Sequence, residues 1–217
     1  MEKPLLQLAL DNLKLHEALC TTQVLAPELD VIEAGTLLCL AEGAESVQVL
    51  RSLYPDKKIV ADLKIVDAGA ELAQLACQRG ADWVTVMCNA ANATKAKAVE
   101  AAAKYGSEIQ VELFGNWTYE EAREWQPIGL KQVIYHQSRD ALHAGGSWGE
   151  KNMQAVKKLA DMGFEVSVTG GLSVDVLALF RGIPVKSFIV GRDLREAKEP
   201  LDTARRYQSS IRQYWEK

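Results

Sequence analysis

A group of acidic side chains around one lysine is the part of this sequence best suited to chemistry. The string Asp62-Leu-Lys64-Ile-Val-Asp67 places an ammonium group among carboxylates, and Glu33 and Glu112 are further acids near the ends of other apolar runs. Neighbouring negative charge favours the protonated form of a lysine. A protonated lysine does not form a Schiff base, but it stabilises a developing oxyanion or donates a proton.

Glu33 and Asp62 together predict a metal site. They end adjacent predicted strands and present hard oxygen ligands. Mg²⁺ keeps several waters and takes one or two carboxylates together with substrate oxygens, so it is the expected ion. Zinc is disfavoured because only His136, of the three histidines, lies at a strand end, and the sequence has no histidine cluster.

Glycines near the end of the chain predict a phosphate site. Thr169-Gly170-Gly171 follows the seventh predicted strand, and Gly191-Arg192 follows the eighth. Glycine lets backbone N–H groups approach an anion closely, and barrels commonly bind phosphate with the loops after strands seven and eight. The Arg192 guanidinium adds a charge-assisted contact, so we expect a phosphorylated ligand.

The longest predicted loop between a strand and a helix is Gln137–Gly149. Long loops at this position are typical of active-site lids. The loop contains Arg139 and directly follows His136. We therefore expect His136 and Arg139 to act near the reacting atoms.

These residues can meet only if the chain brings several strand ends together. Eight short runs rich in β-branched residues alternate with helical segments: Leu5–Leu10, Val31–Ala34, Lys58–Ile65, Trp83–Cys88, Ile109–Phe114, Gln132–His136, Glu165–Thr169 and Ser187–Val190. Glycines such as Gly80 and Gly163 follow the helical segments, where a left-handed cap suits them. The pattern predicts an α/β fold, a single (β/α)8 TIM barrel over residues 1–217, with a doubly wound open sheet as the alternative.

The alternation of side chains along the strands assigns their faces. At the end of the first strand, Asp11 lies on the face opposite to that of Leu8 and Leu10. On the third strand, Asp62 and Lys64 lie two residues apart and point to the same face. In a parallel barrel, outward residues meet helices, and inward residues near the carboxyl ends line the mouth. The polar residues are therefore expected to converge there.

The segment after the third strand is predicted to be helical from Ala68 to Arg79. Asp67 is expected to begin this helix. Leu72, Leu75 and Ala76 illustrate its apolar, core-facing stripe.

The composition excludes several classes of protein. Lys and Arg number 25 against 29 Asp and Glu, a formal net charge of -4, which offers no basic surface for nucleic acid or an anionic membrane. No stretch approaches the ~20 apolar residues that cross a bilayer. The four cysteines lack metal or redox spacing and are expected to be reduced core residues. A cytoplasmic protein with a small-molecule ligand is the expectation.

The same residues resemble the orotidine 5′-monophosphate decarboxylase suprafamily over essentially the whole chain. The strings that carry the resemblance are LALDN, IEAGT, ADLKIVDAG, ADWVTV, VELFGNWT, VIYHQSRDA, VTGGL and IVGR. The chain is similar to the metal-dependent sugar-phosphate branch, because Glu33 stands where the pyrimidine decarboxylases carry a lysine. Glu112, Arg139 and Thr169 resemble the decarboxylases of that branch rather than its 3-hexulose-6-phosphate synthases.

The resemblance implies Mg²⁺-dependent decarboxylation of 3-keto-L-gulonate 6-phosphate to L-xylulose 5-phosphate through an enediolate, in L-ascorbate catabolism. It implies that Glu33 and Asp62 hold the ion and that Lys64 stabilises the enediolate. His136 and Arg139 are implied to deliver a proton, through water.

The resemblance also implies roles for the remaining candidates. Asp11 and Glu112 are expected to hold sugar hydroxyls or orient Lys64. The residues implied to hold the phosphate are Gly171, Gly191 and Arg192. The resemblance further implies a homodimer in which Asp67 reaches the active site of the neighbouring subunit.

Two alternatives stay open. The first is an aldolase that joins formaldehyde to ribulose 5-phosphate through the same enediolate. The second is a non-catalytic phosphosugar-binding protein, which is disfavoured because keeping Lys64 among buried acids costs stability without helping simple binding. An epimerase is disfavoured because its paired metal histidines are missing.

Overall fold

The computed structural model describes residues 2–138 and 145–216. Its strands form a closed parallel barrel in which each strand pairs with the next and the eighth pairs with the first. The strands are β1 Leu5–Leu10, β2 Val31–Ala34, β3 Lys58–Ile65, β4 Trp83–Met87, β5 Glu108–Leu113, β6 Gln132–His136, β7 Glu165–Thr169 and β8 Val185–Val190. The predicted (β/α)8 barrel is confirmed, and the open sheet is excluded.

Helices surround this barrel. Within the described ranges the α-helices are α1 Leu15–Leu25, α2 Thr36–Glu42, α3 Glu45–Leu53, α4 Gly69–Gln78, α5 Asn92–Ala103, α6 Tyr119–Trp125, α7 Glu150–Asp161, α8 Arg192–Arg195 and α9 Pro200–Trp215. Short 3₁₀ helices lie at Ala26–Glu28, Gln126–Ile128 and Val174–Phe180. In the part of the chain that the structure describes, no helix has the length and apolar character needed to cross a membrane.

The predicted strand bounds and faces agree closely with the structure. β4 ends one residue earlier than predicted, β5 lies one residue earlier, and β8 begins at Val185 rather than Ser187. The outward residues Leu8 and Leu10 are fully buried under the helices. Inside the barrel, Val31, Val60 and Trp83 form a separate apolar cluster near the amino-terminal ends of their strands. This plug leaves the carboxyl ends of the strands available for polar side chains.

The start of α4 differs from the prediction. The helix begins at Gly69, and Asp67 lies exposed in the connection before it. Ala68 precedes the helix in the left-handed region, with φ 51, and no side chain caps the first turn. Asp67 therefore does not begin the helix.

The exposed face of α4 also differs from the prediction. Ala76 is buried as expected, but Leu72 and Leu75 are exposed, and Ala73 takes the core-facing place. A Cβ atom at Gly69 would lie 2.1 Å from a backbone carbonyl oxygen of α5. Because α4 approaches α5 this closely through small residues, its leucines remain outside.

The prediction for the cysteines is correct for three of them. All four are free thiols, and Cys39, Cys77 and Cys88 are buried. Cys20 is exposed on α1, so its assignment to the core is wrong. The amphipathic pattern of α1 is weak enough that sequence spacing alone does not orient this residue.

Candidate active site

A cavity of about 1100 Å³ opens at the carboxyl ends of the strands. The predicted site residues that line it are Asp11, Glu33, Asp62, Lys64, Glu112, His136, Thr169, Gly170, Gly171, Gly191 and Arg192. The structure thus brings together side chains from seven of the strands or the loops that follow them. Lys64 shares this cavity with Glu33 and Arg192 and does not face the outer helices.

Two predicted site residues are not part of this group. Asp67 is exposed after β3 and does not line the cavity of its own chain where the structure describes it. Arg139 lies outside the described residues.

The Lys64 ammonium contacts two buried carboxylates. Its Nζ donates to Asp62 Oδ1 at 2.9 Å and Oδ2 at 2.7 Å, and to Glu112 Oε2 at 2.6 Å. Burial by itself lowers the pKa of Lys64, but the charges of Asp62 and Glu112 outweigh burial and hold that pKa above its usual range. Lys64 is therefore protonated, the state that the sequence predicts.

The backbone reaches this arrangement by a route that the alternation did not predict. Lys64 has φ 47, and the pairing of β3 with β4 shifts register between Ala61 and Ile65. The Lys64 backbone N–H donates to the Thr85 hydroxyl at 2.9 Å instead of to a strand carbonyl. Asp62 and Lys64 still face the same cavity, as the alternation predicts, but the strand irregularity at Lys64 had no signal in the sequence.

Glu112 connects Lys64 to His136. Glu112 Oε1 lies 2.5 Å from His136 Nδ1, while Oε2 accepts the bond from Lys64. An ionised carboxylate only accepts hydrogen bonds, so Nδ1 carries the proton and Nε2 remains for another partner. The Phe114 ring packs against the imidazole with ring centroids 4.4 Å apart. His136 is thus held in one orientation at the wall of the cavity.

Glu33 and Asp62 place two carboxylates side by side in a buried environment. Asp62 accepts hydrogen bonds from the hydroxyls of Thr36 at 2.6 Å and Thr85 at 2.7 Å. Burial raises the pKa of Asp62, but Lys64 and these hydroxyls outweigh burial and leave that pKa below its usual value. Burial and, next, the charge of Asp62 raise the pKa of Glu33 well above its usual value. A bound cation would relieve this unbalanced charge at Glu33.

The donor set fits a magnesium ion held by two carboxylates. Glu33 Oε2 accepts from Gln7 Nε2 at 2.7 Å, which fixes the side chain beside Asp62. Among residues 2–138 and 145–216, no three His, Cys, Asp or Glu side chains are arranged as a metal-binding group. Mg²⁺ does not need such a cage, because substrate oxygens and waters complete its coordination.

Cations and glycines gather in the part of the cavity formed after β7 and β8. Gly170 and Gly171 have φ 97 and 61, a backbone region that favours glycine. Arg192 begins α8, and Lys198 and Arg206 also line this part of the cavity. Three acids of the same segments, Asp175, Asp193 and Glu196, line the cavity as well, so this part is distinguished by its glycines beside Arg192 and not by an excess of positive charge.

Asp11 and Thr169 are held against neighbouring backbone. A Cβ atom at Gly35 would lie 2.5 Å from Asp11 Oδ1, so only glycine leaves room for this carboxylate. The Thr169 hydroxyl donates to the Ile189 carbonyl oxygen at 3.1 Å, which leaves its lone pairs for a ligand.

The sequence interpretation missed several lining or supporting residues: Thr36, Thr85, Phe114, Lys198 and Arg206. Thr36 ends the string IEAGT, and Thr85 is the polar residue inside the strand within ADWVTV, so both had a signal in the sequence. Lys198 and Arg206 had none, because their place at the cavity depends on how the last helix packs.

The family of the chain is decided by comparison with known proteins. Residues 4–207 match the family described as Orotidine 5'-phosphate decarboxylase / HUMPS family. The chain belongs to this family. The 3-keto-L-gulonate-6-phosphate decarboxylase UlaD of Salmonella paratyphi B is 47% identical over 215 residues, which are 99% of this chain and 100% of that protein.

Solved structures of similar proteins have the same fold. A ligand complex of KGPDC from Streptococcus mutans matches with TM-score 0.97 and 51% identity over 99% of this chain and 100% of that one. The 3-hexulose-6-phosphate synthase of Salmonella typhimurium matches with TM-score 0.90 and 27% identity over 97% and 99%. The resemblance inferred from the sequence is confirmed, and this family member is an enzyme of the carboxy-lyase class.

Proposed function

We propose that this enzyme removes CO₂ from 3-keto-L-gulonate 6-phosphate and releases L-xylulose 5-phosphate. The observation that carries the proposal is the Lys64 ammonium, held between Asp62 and Glu112 in one cavity with the glycine loop after β7 and Arg192 after β8. The name of the Salmonella relative supports the same substrate. A cytoplasmic location and a place in L-ascorbate catabolism stay predictions from the resemblance.

The proposed reaction leaves negative charge on a substrate oxygen. The bond between the carboxylate carbon and the carbon beside the keto group breaks, CO₂ leaves, and the electron pair moves onto the keto oxygen to produce an enediolate. An effective catalyst stabilises that oxygen more in the transition state than in the ground state. Lys64 supplies this stabilisation, because its ammonium, on a half-buried side chain, is already oriented by two carboxylates.

The carbon that loses CO₂ then needs a proton. Glu112 holds the Nδ1–H of His136, so the imidazolium form can pass its Nε2 proton to the carbon directly or through a water, and the neutral ring then takes a proton from solvent. Arg139, outside the described residues, stays the predicted second group for this step.

Glu33 and Asp62 are the proposed magnesium ligands. When bound, Mg²⁺ supplies a Lewis acid that polarises substrate oxygens and balances their charge. Asp11 orients sugar hydroxyls at this acidic end. At the other end, the residues proposed to hold the phosphate and its neighbouring hydroxyl are Thr169, Gly170, Gly171, Gly191 and Arg192.

A homodimer that completes the site with Asp67 is also proposed. Asp67 is exposed, and three apolar side chains close to it in sequence are exposed as well: Val66 at 58%, Leu72 at 36% and Leu75 at 40%. Neighbouring exposed apolar side chains fit a surface that a second subunit covers.

Release of CO₂ in the presence of Mg²⁺ tests the proposal. Lys64→Ala is expected to lower kcat by about 10²–10³-fold, the effect of losing one oxyanion-stabilising group. Lys157→Ala is the matched control, because Lys157 forms an exposed pair with Asp161 at 2.6 Å on α7, and it should keep the wild-type rate. Undiminished turnover by Lys64→Ala, or after magnesium is removed by a chelator, contradicts the mechanism.

The synthase reaction is the second candidate, because the Salmonella typhimurium synthase has a TM-score of 0.90 to this chain. It would join formaldehyde to ribulose 5-phosphate at the same site. Faster consumption of formaldehyde than release of CO₂ would favour the synthase. A protein that only binds phosphosugars would form no product, so no deuterium from the solvent would appear in L-xylulose 5-phosphate.

A further inference from the structure

Trp148 holds the glycine loop after β7 from behind the cavity wall. Its indole Nε1 donates to the Gly170 carbonyl oxygen at 2.7 Å. Trp148 is only 9% exposed and is not among the described residues that line the cavity. Gly170 and Gly171 do line it. The hydrogen bond therefore joins the cavity wall to a buried side chain.

This bond decides where the next backbone N–H points. The peptide group between Gly170 and Gly171 is planar and trans, so its carbonyl and its N–H point in opposite directions. Because the Gly170 carbonyl points at Trp148, the Gly171 N–H points away from Trp148, toward the cavity that Gly171 lines. A backbone N–H in that position is a donor for an anionic oxygen.

A fixed partner is needed because two successive glycines rotate easily. Gly170 has φ 97, and a Cβ atom there would lie 2.0 Å from the Gln137 carbonyl oxygen, so no other residue fits. Glycine populates many backbone conformations, and the peptide between two glycines has little intrinsic preference for one orientation. The indole hydrogen bond selects one of them.

The direction of the indole is itself fixed by packing. The Trp148 ring lies 5.9 Å from Tyr135 and 5.1 Å from Phe180, measured between ring centroids. The Tyr135 hydroxyl in turn accepts from Asn152 Nδ2 at 3.1 Å. An indole packed against two other aromatic rings presents its N–H in a single direction.

We infer that Trp148 is a positioning residue for phosphate binding, which aims the Gly171 N–H at the phosphate of the ligand. The inference rests on the proposed function only for the identity of the substrate, because any ligand with a sugar phosphate group tests it.

Binding of D-ribose 5-phosphate to the full chain, measured by calorimetry, is the experiment. Trp148→Phe keeps an aromatic ring between Tyr135 and Phe180 but has no donor. We expect about tenfold weaker binding, the usual effect of losing one well-placed hydrogen bond. With the phosphorylated substrate, KM should rise by a similar factor and by more than kcat falls.

Trp215→Phe is the matched control. Its Nε1 donates to the Ile183 carbonyl oxygen at 3.2 Å, and its ring packs on Phe188, 5.4 Å between centroids. The same chemical change is made there without touching the glycine loop. Trp215→Phe should bind D-ribose 5-phosphate as tightly as the wild type.

A second variant removes the donor without changing the shape of the side chain. Incorporation of 3-benzothienylalanine at position 148 replaces the indole N–H by sulfur, and we expect the same loss of affinity. Unchanged binding by this variant, or equal losses in Trp148→Phe and Trp215→Phe, overturns the inference. A wild type that binds D-ribose 5-phosphate but releases no CO₂ contradicts the proposed function alone. Weaker binding confined to position 148 supports the inference in either case.

Discussion

Glu112 shares its two oxygens between the two groups that the proposed reaction needs. One oxygen accepts from the Lys64 ammonium and the other from the His136 imidazole. The Glu112 side chain is only 3% exposed, so water competes little for these bonds. Hydrogen bonds to an ionised group in such surroundings are about twice as strong as those between neutral groups.

Glu112→Gln is expected to lower kcat by about 100-fold, with a smaller change in KM. A glutamine has one acceptor oxygen and one NH₂ donor, so it cannot accept from both Lys64 and His136. Nitrogen NMR of the His136 ring gives an independent measurement. The wild type should show a proton on Nδ1, and the variant should lose that preference.

Glu165→Gln is the control for the Glu112 variant. Glu165 begins β7 at the other end of the barrel and pairs with Lys186 at 2.8 Å. The same loss of a carboxylate there should leave kcat within about twofold of the wild type. If Glu112→Gln kept the same kcat as Glu165→Gln, the hydrogen bonds from Lys64 and His136 to Glu112 would have no part in turnover.

The backbone around Lys64 is strained where the chemistry is proposed. Within the described chain, Lys64 and Ala68 are the non-glycine residues with positive φ, at 47 and 51. Each such conformation costs about 1 kcal/mol or more and persists only when its surroundings enforce it. Here the Thr85 hydroxyl and the two carboxylates enforce it at Lys64.

Among the elements, α8 and α9 support the part of the cavity that contains Arg192. Tyr207 on α9 is fully buried, and its hydroxyl donates to Asp193 Oδ2 at 2.7 Å. Asp193 lies next to Arg192 in the single turn of α8. The long C-terminal helix therefore holds the short helix that carries Arg192.

Tyr207→Phe is expected to make the free energy of unfolding fall less steeply as the pH rises above about 10. Burial, and then the hydrogen bond to Asp193, raise the pKa of Tyr207. Above about pH 10 the unfolded chain loses this proton while the folded chain keeps it, so the free energy of unfolding falls by up to about 1.4 kcal/mol per pH unit. Urea unfolding between about pH 8 and 11 measures the slope.

Tyr105→Phe is the matched control for removal of a tyrosine, because the Tyr105 side chain is 43% exposed. At neutral pH, Tyr207→Phe should also cost about 1 kcal/mol, since Asp193 loses its donor. An alkaline slope equal to that of the wild type would contradict the role given to Tyr207.

At the scale of the whole molecule, barrel closure concentrates opposite charges in one cavity. The chain has a net charge of -4, yet Arg192, Lys198 and Arg206 line the cavity in which a phosphate is proposed, together with the acids Asp175, Asp193 and Glu196. Attraction of an anionic substrate therefore depends on this local arrangement and not on the net charge.

Subunit complementation tests the proposed dimer. Asp67→Asn and Lys64→Ala are each expected to have only a small residual activity, because each removes one group from every site. After the two variants are unfolded together and refolded, half of the dimers are mixed and carry one intact site of two. About a quarter of the wild-type activity should return.

Each variant refolded alone is the control and should keep only its small residual activity. Full activity of Asp67→Asn by itself, or a monomer by sedimentation, would contradict the shared site. If mixed dimers form but activity does not return, Asp67 acts in the active site of its own subunit and not in that of the partner.

Most of the barrel was predictable because its signals are local. Alternation with period two defines strand faces, and glycines mark helix ends, so the bounds of β1, β2 and β3 follow from short segments. The carboxyl ends of parallel strands lie together in any such barrel. The sequence by itself therefore determined the fold and the location of Asp11, Glu33, Asp62 and Glu112 at the site.

Tertiary structure alone decided the details that depend on contacts between distant segments. The left-handed backbone at Lys64 depends on Thr85 and on Glu112, which is 48 residues away. The bond from Trp148 to Gly170 and the outward position of Leu72 likewise depend on how separate elements pack. No local pattern encodes these contacts, because their free energy arises only once the barrel closes and excludes water.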